Sequence, residues 1–452
     1  MNDPVMQYFL YPSHGAPTFE IAATLSSDPG YFQFGPGLVC YGKTSAGYRC
    51  DTTDKPLYDA ADDVVFEERG IELSFNPGEV VTNLTEERYV DHRAASQVEL
   101  LRQVYYSLRP MLPTAVRSSL QRRYFESRQK ASFPAWPVDT TVDQLMNKLL
   151  LLGLKSKGLP AIPFIWFWPD GAGACSMMTH DVETKAGLEF CSKLMDVDEE
   201  FGIAASFQIV PERRYAITRQ FIDSLKGRGF EVNLQDLNHD GRLFLSGFKE
   251  FSSRVNRINS YAQEFDAAGF RSAILYRRQE WFHLLDFDYD MSVPNTAHYD
   301  PQRGGCCTVM PYFIGKILEL PVTTSQDYTV FHYLKNYSLD FWRKQIRSIL
   351  CKHGLISFIF HPDYLIDRRA LDVYKGLLRE LAELRSTKTL WIARPREVNR
   401  WWRNRAAMRL IFKGGEWVIE GLDRERARVA FASLEDDKIV YTIPDRSSSL
   451  VS

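Results

Sequence analysis

The sequence of 452 residues has no stretch that approaches the roughly 18 consecutive apolar residues of a membrane-spanning helix. Its start lacks a basic segment followed by an apolar one, which is the pattern of a secretory signal. The 55 basic and 57 acidic side chains are spread along the chain without a block of one sign. We therefore expect a cytoplasmic protein with no membrane span, and nucleic acid is not an expected partner.

Cysteine is scarce, and none of the seven cysteines has a partner at the C-x-x-C spacing of zinc or redox sites. A chain of this length with 45% apolar residues can bury a core without disulfide cross-links. We interpret the cysteines, including the adjacent Cys306 and Cys307, as reduced and mostly buried. The chain has no internal repeat, and no feature of it indicates an oligomeric state.

Four segments of different composition follow one another. Residues 1–95 combine Gly, Pro, Asp and Thr with short aromatic and β-branched runs, which favours short strands joined by turns. Residues 96–155 place apolar side chains at helical spacing and predict a helical connector. Residues 156–400 alternate short apolar runs with amphipathic segments. Residues 401–452 predict a small C-terminal β appendage.

The alternation within residues 156–400 predicts an α/β fold. Continuous apolar strands suit a parallel sheet that is covered on both faces, in a barrel or a doubly wound sheet. The amphipathic segments predict helices over residues 248–265 and 371–384. The predicted strands are residues 162–168, 175–179, 204–210, 230–234, 272–275, 355–360 and 389–393.

Two carboxylates follow the strand predicted at residues 175–179. In parallel α/β domains the reactive groups lie just past the carboxyl ends of strands. Asp181 and Glu183 share one face by the two-residue period of an extended chain. Such a pair can divide the work of holding a cation and accepting a proton from water.

Two later strand ends supply further polar side chains. Gln235 and His239 follow residues 230–234 and would face the same way if the chain forms a helical turn there. His361 follows the strand at residues 355–360, and Pro362 keeps its backbone extended. We therefore expect these side chains to gather at one end of the sheet.

The order, spacing and types of these residues resemble the polysaccharide deacetylase family, also called the NodB-homology or carbohydrate esterase four group. The resemblance covers about residues 160–395. It implies a distorted (β/α) barrel of the polysaccharide-deacetylase type, with the N-terminal β-rich region and helical connector before it and the β appendage after it. It also implies removal of an acetyl group from an N-acetylated sugar or polysaccharide precursor, with a divalent metal, expected to be zinc.

The resemblance assigns roles to individual residues. Asp181, in Thr179-His180-Asp181-Val182-Glu183, matches the base of the family's T-F-D-D segment, and Glu183 replaces its metal-binding carboxylate. Arg271 matches the arginine that pairs with the base. His361, followed by Pro362, matches the general acid. His239 matches the second of two metal-binding histidines.

Gln235 departs from the family pattern, which has the first metal-binding histidine at this place. An amide oxygen is a weak ligand for zinc, which prefers imidazole, thiolate and carboxylate. His180 or Asp236 could take over the missing ligand position. Two alternatives to a metal-dependent deacetylase therefore stay open. One is an impaired relative that binds carbohydrate or a partner protein, and the other is a hydrolase of a small non-sugar amide.

A carboxylate that orients His361 is expected among Asp286, Asp288 and Asp290. Asp327, in contrast, fits the start of a short helix, where we expect it to cap the first turn. The Gly304-Gly305 pair suits either a substrate loop or a tight turn. The aromatic run at residues 164–168 and the pair Trp401-Trp402 are expected in the core rather than on sugar rings.

Overall fold

The computed structural model describes residues 3–12, 17–22, 24–47, 50–68, 70–90 and 132–444. The first part of the predicted helical connector, residues 96–131, lies outside the described residues. Within the described ranges, no helix combines the length and the apolar character needed to cross a membrane.

The N-terminal residues form short strands and two helices. α1 (Pro4–Phe9) and α2 (Pro77–Thr85) both begin with proline, and the side chains of Asp3 and Asn76 cap their first turns. The strands are β1 (Phe19–Ile21), β2 (Gly30–Gln33), β3 (Val39–Gly42), β4 (Val65–Phe66) and β5 (Ile71–Leu73). β1, β5 and β4 form one sheet, and β2 pairs with β3.

A helix and a strand lead from this region to the central sheet. α3 (Thr141–Lys157) follows the leucine spacing of the sequence and ends at Gly158, whose φ of 58° closes the helix in the left-handed conformation. β6 (Ala161–Ile165) comes next.

The central element is a curled sheet of nine strands. Its order is β12-β13-β11-β10-β9-β8-β7-β14, with β15 pairing with the first half of β7, and all neighbours are parallel except β12 and β13. The strands are β7 (Ala174–Val182), β8 (Ser206–Ile209), β9 (Glu231–Gln235), β10 (Gly269–Arg271), β11 (Tyr289–Asp290), β12 (Tyr312–Ile314), β13 (Ile317–Glu319), β14 (Leu355–Phe360) and β15 (Leu390–Ile392).

Helices cover the outer face of this sheet. They are α4 (Lys185–Glu200), α5 (Arg219–Gly227), α6 (Phe248–Phe265), α7 (Asp340–Leu350) and α8 (Arg368–Ser386). α9 (Pro395–Ala407) instead packs Val398, Trp401 and Trp402 into the core that contains Cys175 and Met177. α6 shows the reason: Phe251, Val255, Ile258, Ala262 and Phe265 are buried at three- and four-residue steps. Burying each large apolar side chain stabilises the fold by about 1.5–3 kcal/mol.

The curled sheet is closed at its open side by side chains, and we call this contact the seam. Thr323 N donates to Ser357 Oγ of β14 (2.8 Å), and Ser357 N donates to Thr323 Oγ1 (2.9 Å). Ser357 Oγ also donates to Pro321 O, and Thr324 Oγ1 donates to Ser357 O. The residues that follow β13 therefore lie beside β14 around the ring of strands.

The last strands of the chain return to β6. They are β16 (Arg409–Lys413), β17 (Glu416–Glu420), β18 (Val429–Glu435) and β19 (Lys438–Thr442). β18 pairs with β6 on one side and with β19 on the other, both antiparallel. The prediction that residues 162–168 belong to the parallel sheet was therefore wrong, because an apolar run does not specify its partner strand.

Most other predicted strands coincide with β7, β8, β9, β14 and β15. The prediction at residues 272–275 was wrong, since β10 ends at Arg271 and Ala273–Leu275 forms a tight turn with Ile274 at a φ of 60°. β11, β12 and β13 contain only two or three residues each, which is too short for an apolar run that would predict a strand. Phe164, Trp168, Trp401 and Trp402 pack in a buried core, as expected.

A buried ion pair joins the N-terminal region to the central sheet. Arg277 Nε donates to Glu87 Oε2 (2.6 Å), and Gly305 N donates to Glu87 Oε1 (2.5 Å). Gly304 and Gly305 have φ values of 119° and 140°, and a Cβ on Gly305 would lie 2.4 Å from the carbonyl oxygen of Asn295. The glycine pair is thus a tightly packed turn around a carboxylate.

We expect Glu87→Gln to lower the free energy of unfolding by about 3–5 kcal/mol, because the substitution leaves the buried Arg277 guanidinium without a charged partner. Chemical denaturation followed by fluorescence measures the loss. Glu86→Gln is the matched control, since Glu86 pairs with a half-exposed Arg88 and should change stability by less than about 1 kcal/mol. If the two substitutions lower the free energy of unfolding equally, the buried Glu87–Arg277 pair does not stabilise the contact between the N-terminal region and the central sheet.

Candidate functional site

Four strand ends bring the predicted polar residues together. Asp181 lies near the end of β7, and Glu183 follows it directly. Gln235 and Arg271 are the last residues of β9 and β10, and His361 follows β14. Parallel strands present their carboxyl ends at one rim of the sheet, which is why residues far apart in sequence meet there.

Arg271 holds Asp181 from inside the barrel. Its Nη1 donates to Asp181 Oδ1 (2.6 Å) and to Thr179 Oγ1 (2.8 Å), and its Nε donates to Met291 O (3.0 Å). The Arg271 side chain is fully buried. Because these three contacts fix the guanidinium of Arg271, its bond to Oδ1 also fixes the orientation of the Asp181 carboxylate. The other oxygen, Oδ2, faces Gln235.

Glu183 is surrounded by nitrogen atoms. Its Oε1 lies 2.7 Å from His239 Nε2, 3.4 Å from His361 Nε2 and 3.0 Å from Gln235 Nε2. Burial alone would raise the pKa of Glu183, but the two imidazoles outweigh burial and hold this pKa well below the usual range. Glu183 is therefore a carboxylate at neutral pH.

Asp327 orients His361. Its Oδ1 accepts from His361 Nδ1 (2.7 Å) and its Oδ2 from the His361 backbone N–H (2.7 Å). Burial lowers the pKa of His361, but the carboxylates of Asp327 and Glu183 overcome this and raise the pKa well above the ordinary value. The expected cap is also present, because Asp327 Oδ1 accepts from Tyr328 N at the start of the helix Tyr328–Tyr333.

The three aspartates expected to orient His361 do not contact it. Asp286 and Asp288 are exposed. Asp290 is buried on β11 and accepts from Ser292 N (2.8 Å) and Ser292 Oγ (2.9 Å), beneath the site. The prediction was wrong because Asp327 is 34 residues from His361, and a local capping pattern already accounted for its position.

His180 and Asp236 do not supply the missing ligand. His180 points to the outer face of β7, as strand alternation requires, and its Nε2 lies 2.9 Å from Asp198 Oδ2. Asp236 has a φ of 53°, and its Oδ1 accepts from the next backbone N–H, of Leu237. Burial raises the pKa of Asp236 to about 6. Neither residue is among those whose ligand atoms gather at the site, although Asp236 Oδ2 is buried without a hydrogen-bond partner among the described residues.

His239 reaches Glu183 without the predicted helical turn. The backbone after Gln235 is irregular, and His239 itself has a φ of 53°. Arg214, which no sequence pattern indicated, places Nη2 3.0 Å from His239 Nδ1 and donates to His239 O (2.6 Å). Burial lowers the pKa of His239, but Glu183 raises it overall.

Part of this set fits a divalent cation. Ligand atoms of Asp181, Glu183 and His361 all lie within 4.8 Å of one another. His361 donates its second ring nitrogen to a carboxylate, as metal-binding histidines usually do. His239 Nε2 is buried and contacts Glu183 Oε1 at 2.7 Å, so this nitrogen faces the same carboxylate.

Gln235 turns its amide nitrogen toward the two carboxylates. Its Nε2 donates to Asp181 Oδ2 (3.1 Å) and Glu183 Oε1 (3.0 Å), while its buried Oε1 has no hydrogen-bond partner among the described residues. The amide thus links the two carboxylates as a hydrogen-bond donor. The neighbouring carboxylates attract the NH2 group of Gln235 in this arrangement, and the role of its oxygen as a metal ligand stays a prediction.

Comparisons with known proteins concern the fold. No protein-family model matches the sequence, and no curated protein matches it. A solved structure from Mycobacterium smegmatis, described as a polysaccharide deacetylase, is 17% identical over 53% of this chain and 93% of that one, with a TM-score of 0.43. A solved structure from Pseudomonas aeruginosa with the same description is 11% identical over 52% of this chain and 93% of that one, with a TM-score of 0.40. The structure of the PuuE allantoinase is 12% identical over 52% of this chain and 92% of that one, with a TM-score of 0.41.

Proposed function

We propose that the protein hydrolyses a carboxamide C–N bond, and that its substrate is the acetamide group of an N-acetylated sugar or polysaccharide precursor. The observation that supports hydrolysis is the meeting of two oriented pairs, Arg271–Asp181 and Asp327–His361, on either side of Glu183. The sugar follows from the resemblance to polysaccharide deacetylases.

Each pair supplies one half of the proton transfer. Asp181, fixed by Arg271, takes a proton from a water molecule whose oxygen forms a bond to the carbonyl carbon. His361, fixed by Asp327 and kept protonated, gives its Nε2 proton to the nitrogen as the C–N bond breaks. The products are a carboxylate, acetate for an acetamide, and an amine. No electrons are exchanged.

A divalent metal, zinc in the family that the sequence resembles, would be held by Glu183 and His239, with Asp181 beside them, and His361 would keep its Nε2 proton for transfer. Such an ion supplies Lewis-acid polarisation of the carbonyl and a lower pKa for bound water.

Release of acetate together with free amine tests the proposal. The purified protein is incubated with N-acetylglucosamine oligomers, a nucleotide-linked N-acetyl sugar and a small cyclic amide, with chelator, Zn²⁺ or Co²⁺. We expect the native protein to release acetate and amine in equal amounts. Asp181→Asn should abolish this release, whereas the control Asp286→Asn, at an exposed position, should retain it. Carbohydrate binding without release would favour the impaired relative, and cleavage of the cyclic amide alone would favour the non-sugar hydrolase.

We expect Gln235→His to tighten Zn²⁺ binding by about 10- to 100-fold, the range that changes around a metal typically produce. An imidazole at this position replaces an amide that turns its NH2 group to Asp181 and Glu183. Isothermal titration with Zn²⁺ measures the affinity without depending on turnover. Gln263→His on the exposed side of α6 is the control. Equal affinities of Gln235→His and the native protein would contradict the assignment of position 235 to the metal site.

A further inference from the structure

We propose that Asp290 and Glu319, two buried carboxyl groups beneath the site, share one proton and are positioning residues for the base Asp181. The proposal rests on the proposed function, since Asp181 is the base of that reaction. Asp290 lies on β11 and Glu319 on β13, where the two residues are paired in register between parallel strands. Neither side chain has any solvent-exposed surface.

The two carboxyl groups hydrogen-bond to each other, so they are not both ionised at neutral pH. Two negative charges at this distance repel each other when no water separates them, and the loss of hydration disfavours each charge as well. Burial, and after it the neighbouring Asp290, raise the pKa of Glu319 well above its ordinary value. One proton is therefore held between the two groups.

The hydrogen bonds around the pair show which residue carries the proton. Asp290 accepts on both oxygens, from Ser292 N (2.8 Å) and from Ser292 Oγ (2.9 Å), and such bonds favour a carboxylate. Glu319 Oε1 accepts from Val293 N (3.0 Å), whereas its buried Oε2 receives no hydrogen bond from a donor in the described part of the chain. Glu319 is therefore the carboxylic acid, and it donates to the carboxylate of Asp290.

Other charged and titratable groups near the pair leave this arrangement intact. Arg271 stabilises the charge of Asp290, and Arg277 acts on Glu319, but the hydrogen bonds of both guanidinium groups go to other residues. Burial raises the pKa values of Tyr312 and Cys306, which face Glu319, well above their ordinary values, so both stay neutral.

A continuous series of hydrogen bonds leads from the carboxyl pair to the base. The pair fixes the segment that follows β11, through the bonds to Ser292 and to the residue after it. That segment holds β10 twice, since Met291 O accepts from Arg271 Nε (3.0 Å) and Ser292 Oγ accepts from Ser272 N (2.8 Å). Arg271 Nη1 in turn donates to Asp181 Oδ1 (2.6 Å). The orientation of the base thus depends on a proton two strands away.

Two substitutions of Glu319 separate its proton from its shape. Glu319→Gln keeps both hydrogen bonds, because the amide oxygen can accept from Val293 N and the NH2 group can donate to Asp290. Glu319→Leu removes both bonds and leaves Asp290 as a buried charge without its acidic partner. We therefore expect Gln to preserve the position of Arg271 and Leu to disturb it.

Infrared spectroscopy tests the shared proton without turnover. The difference spectrum between the native protein and Glu319→Gln at pH 8 should contain the C=O stretch of one protonated carboxyl group. The control Glu264→Gln, at an exposed position on α6, should leave that band unchanged. Absence of the band from the first difference spectrum overturns the proposal.

Stability provides an independent measure of the same proton. Above the ordinary pKa of glutamate the unfolded chain releases a proton that the folded native protein keeps, so native stability falls as the pH rises. The ratio of the folding equilibrium constant of Glu319→Gln to that of the native protein should therefore rise by up to about tenfold per pH unit. A ratio that does not change with pH overturns the proposal.

Nuclear magnetic resonance of protein labelled with 15N-arginine tests the positioning role. The Nε–H of Arg271, assigned by its absence in Arg271→Met, should exchange slowly with solvent in the native protein and in Glu319→Gln. It should exchange about tenfold faster or more in Glu319→Leu. Ser292→Ala, which removes the hydroxyl between Asp290 and Ser272, is a second variant and should also speed the exchange.

Kinetics with an N-acetylated glucosamine oligomer complete the test. Glu319→Leu should lower kcat about 10- to 100-fold, because small displacements of a catalytic group have effects of this size, and Glu319→Gln should retain the native kcat. Native exchange and native kcat in Glu319→Leu, or rapid exchange in Glu319→Gln, overturn the positioning role. Failure of the proposed function has a different signature: the native protein releases no acetate, while the infrared and exchange results are as expected.

Discussion

Replacement of Arg271 by methionine is expected to lower the free energy of unfolding by about 3–5 kcal/mol, the cost of leaving one buried charge without its partner. Arg271 is fully buried, and its guanidinium contacts Asp181, Thr179 and Met291 O. Methionine fills much of the volume, so the loss reports the unpaired carboxylate rather than a cavity. Denaturation with urea, followed by circular dichroism, measures the change.

A second substitution identifies the source of this loss. Asp181→Asn in the Arg271→Met background removes the orphaned charge and should restore at least half of the lost stability. Arg219→Met is the exposed control, since Arg219 pairs with Asp223 on the surface at 3.0 Å and should contribute less than about 1 kcal/mol. If the double substitution is no more stable than Arg271→Met alone, the Arg271–Asp181 pair is not what stabilises the rim.

The Asp327→Asn substitution should reduce kcat by about 10²- to 10⁴-fold, the range that a positioned acid or base typically contributes. The amide retains one acceptor oxygen but loses the charge that holds His361 protonated. Because the acid must carry its proton, activity falls as the pH rises through the pKa of His361. The native protein should therefore stay active well above the pH at which an ordinary histidine loses its proton.

The pH profile separates positioning from simple loss of structure. Asp327 raises the pKa of His361, so its removal should move the alkaline limb of the kcat profile to lower pH, in addition to lowering its maximum. Asp286→Asn, which changes an exposed aspartate away from His361, should alter neither the maximum of the profile nor the pH of its alkaline limb. If the alkaline limb of the kcat profile lies at the same pH in Asp327→Asn and in the native protein, a group other than His361 donates the proton.

The sequence predicted those site residues whose positions follow from local geometry. The period of an extended strand places Asp181 and Glu183 on one face and His180 on the other, where His180 contacts Asp198. His361 was found because it ends a continuous apolar run and precedes proline. In each case the information lies within a few residues of the functional side chain.

Contacts between distant segments were beyond the same reasoning. Asp327 and Arg214 reach the site from loops, and only the three-dimensional course of the chain brings them there. The partner of β6 is β18, more than 250 residues later, so its apolar pattern suited a parallel and an antiparallel sheet equally well. The orientation of the Gln235 amide depends on two carboxylates from another strand.

The seam has a consequence for association between copies of the chain. A parallel sheet that curls without closing exposes a row of unpaired N–H and C=O groups at each end, and such edges can recruit strands from other molecules. On β14, Ser357 N and Ser357 O are occupied by Thr323 and Thr324, and Leu355 O accepts from Thr323 Oγ1. Two threonine side chains thereby occupy three backbone groups of β14, a strand with five apolar residues out of six, and these groups cannot recruit a strand from another molecule.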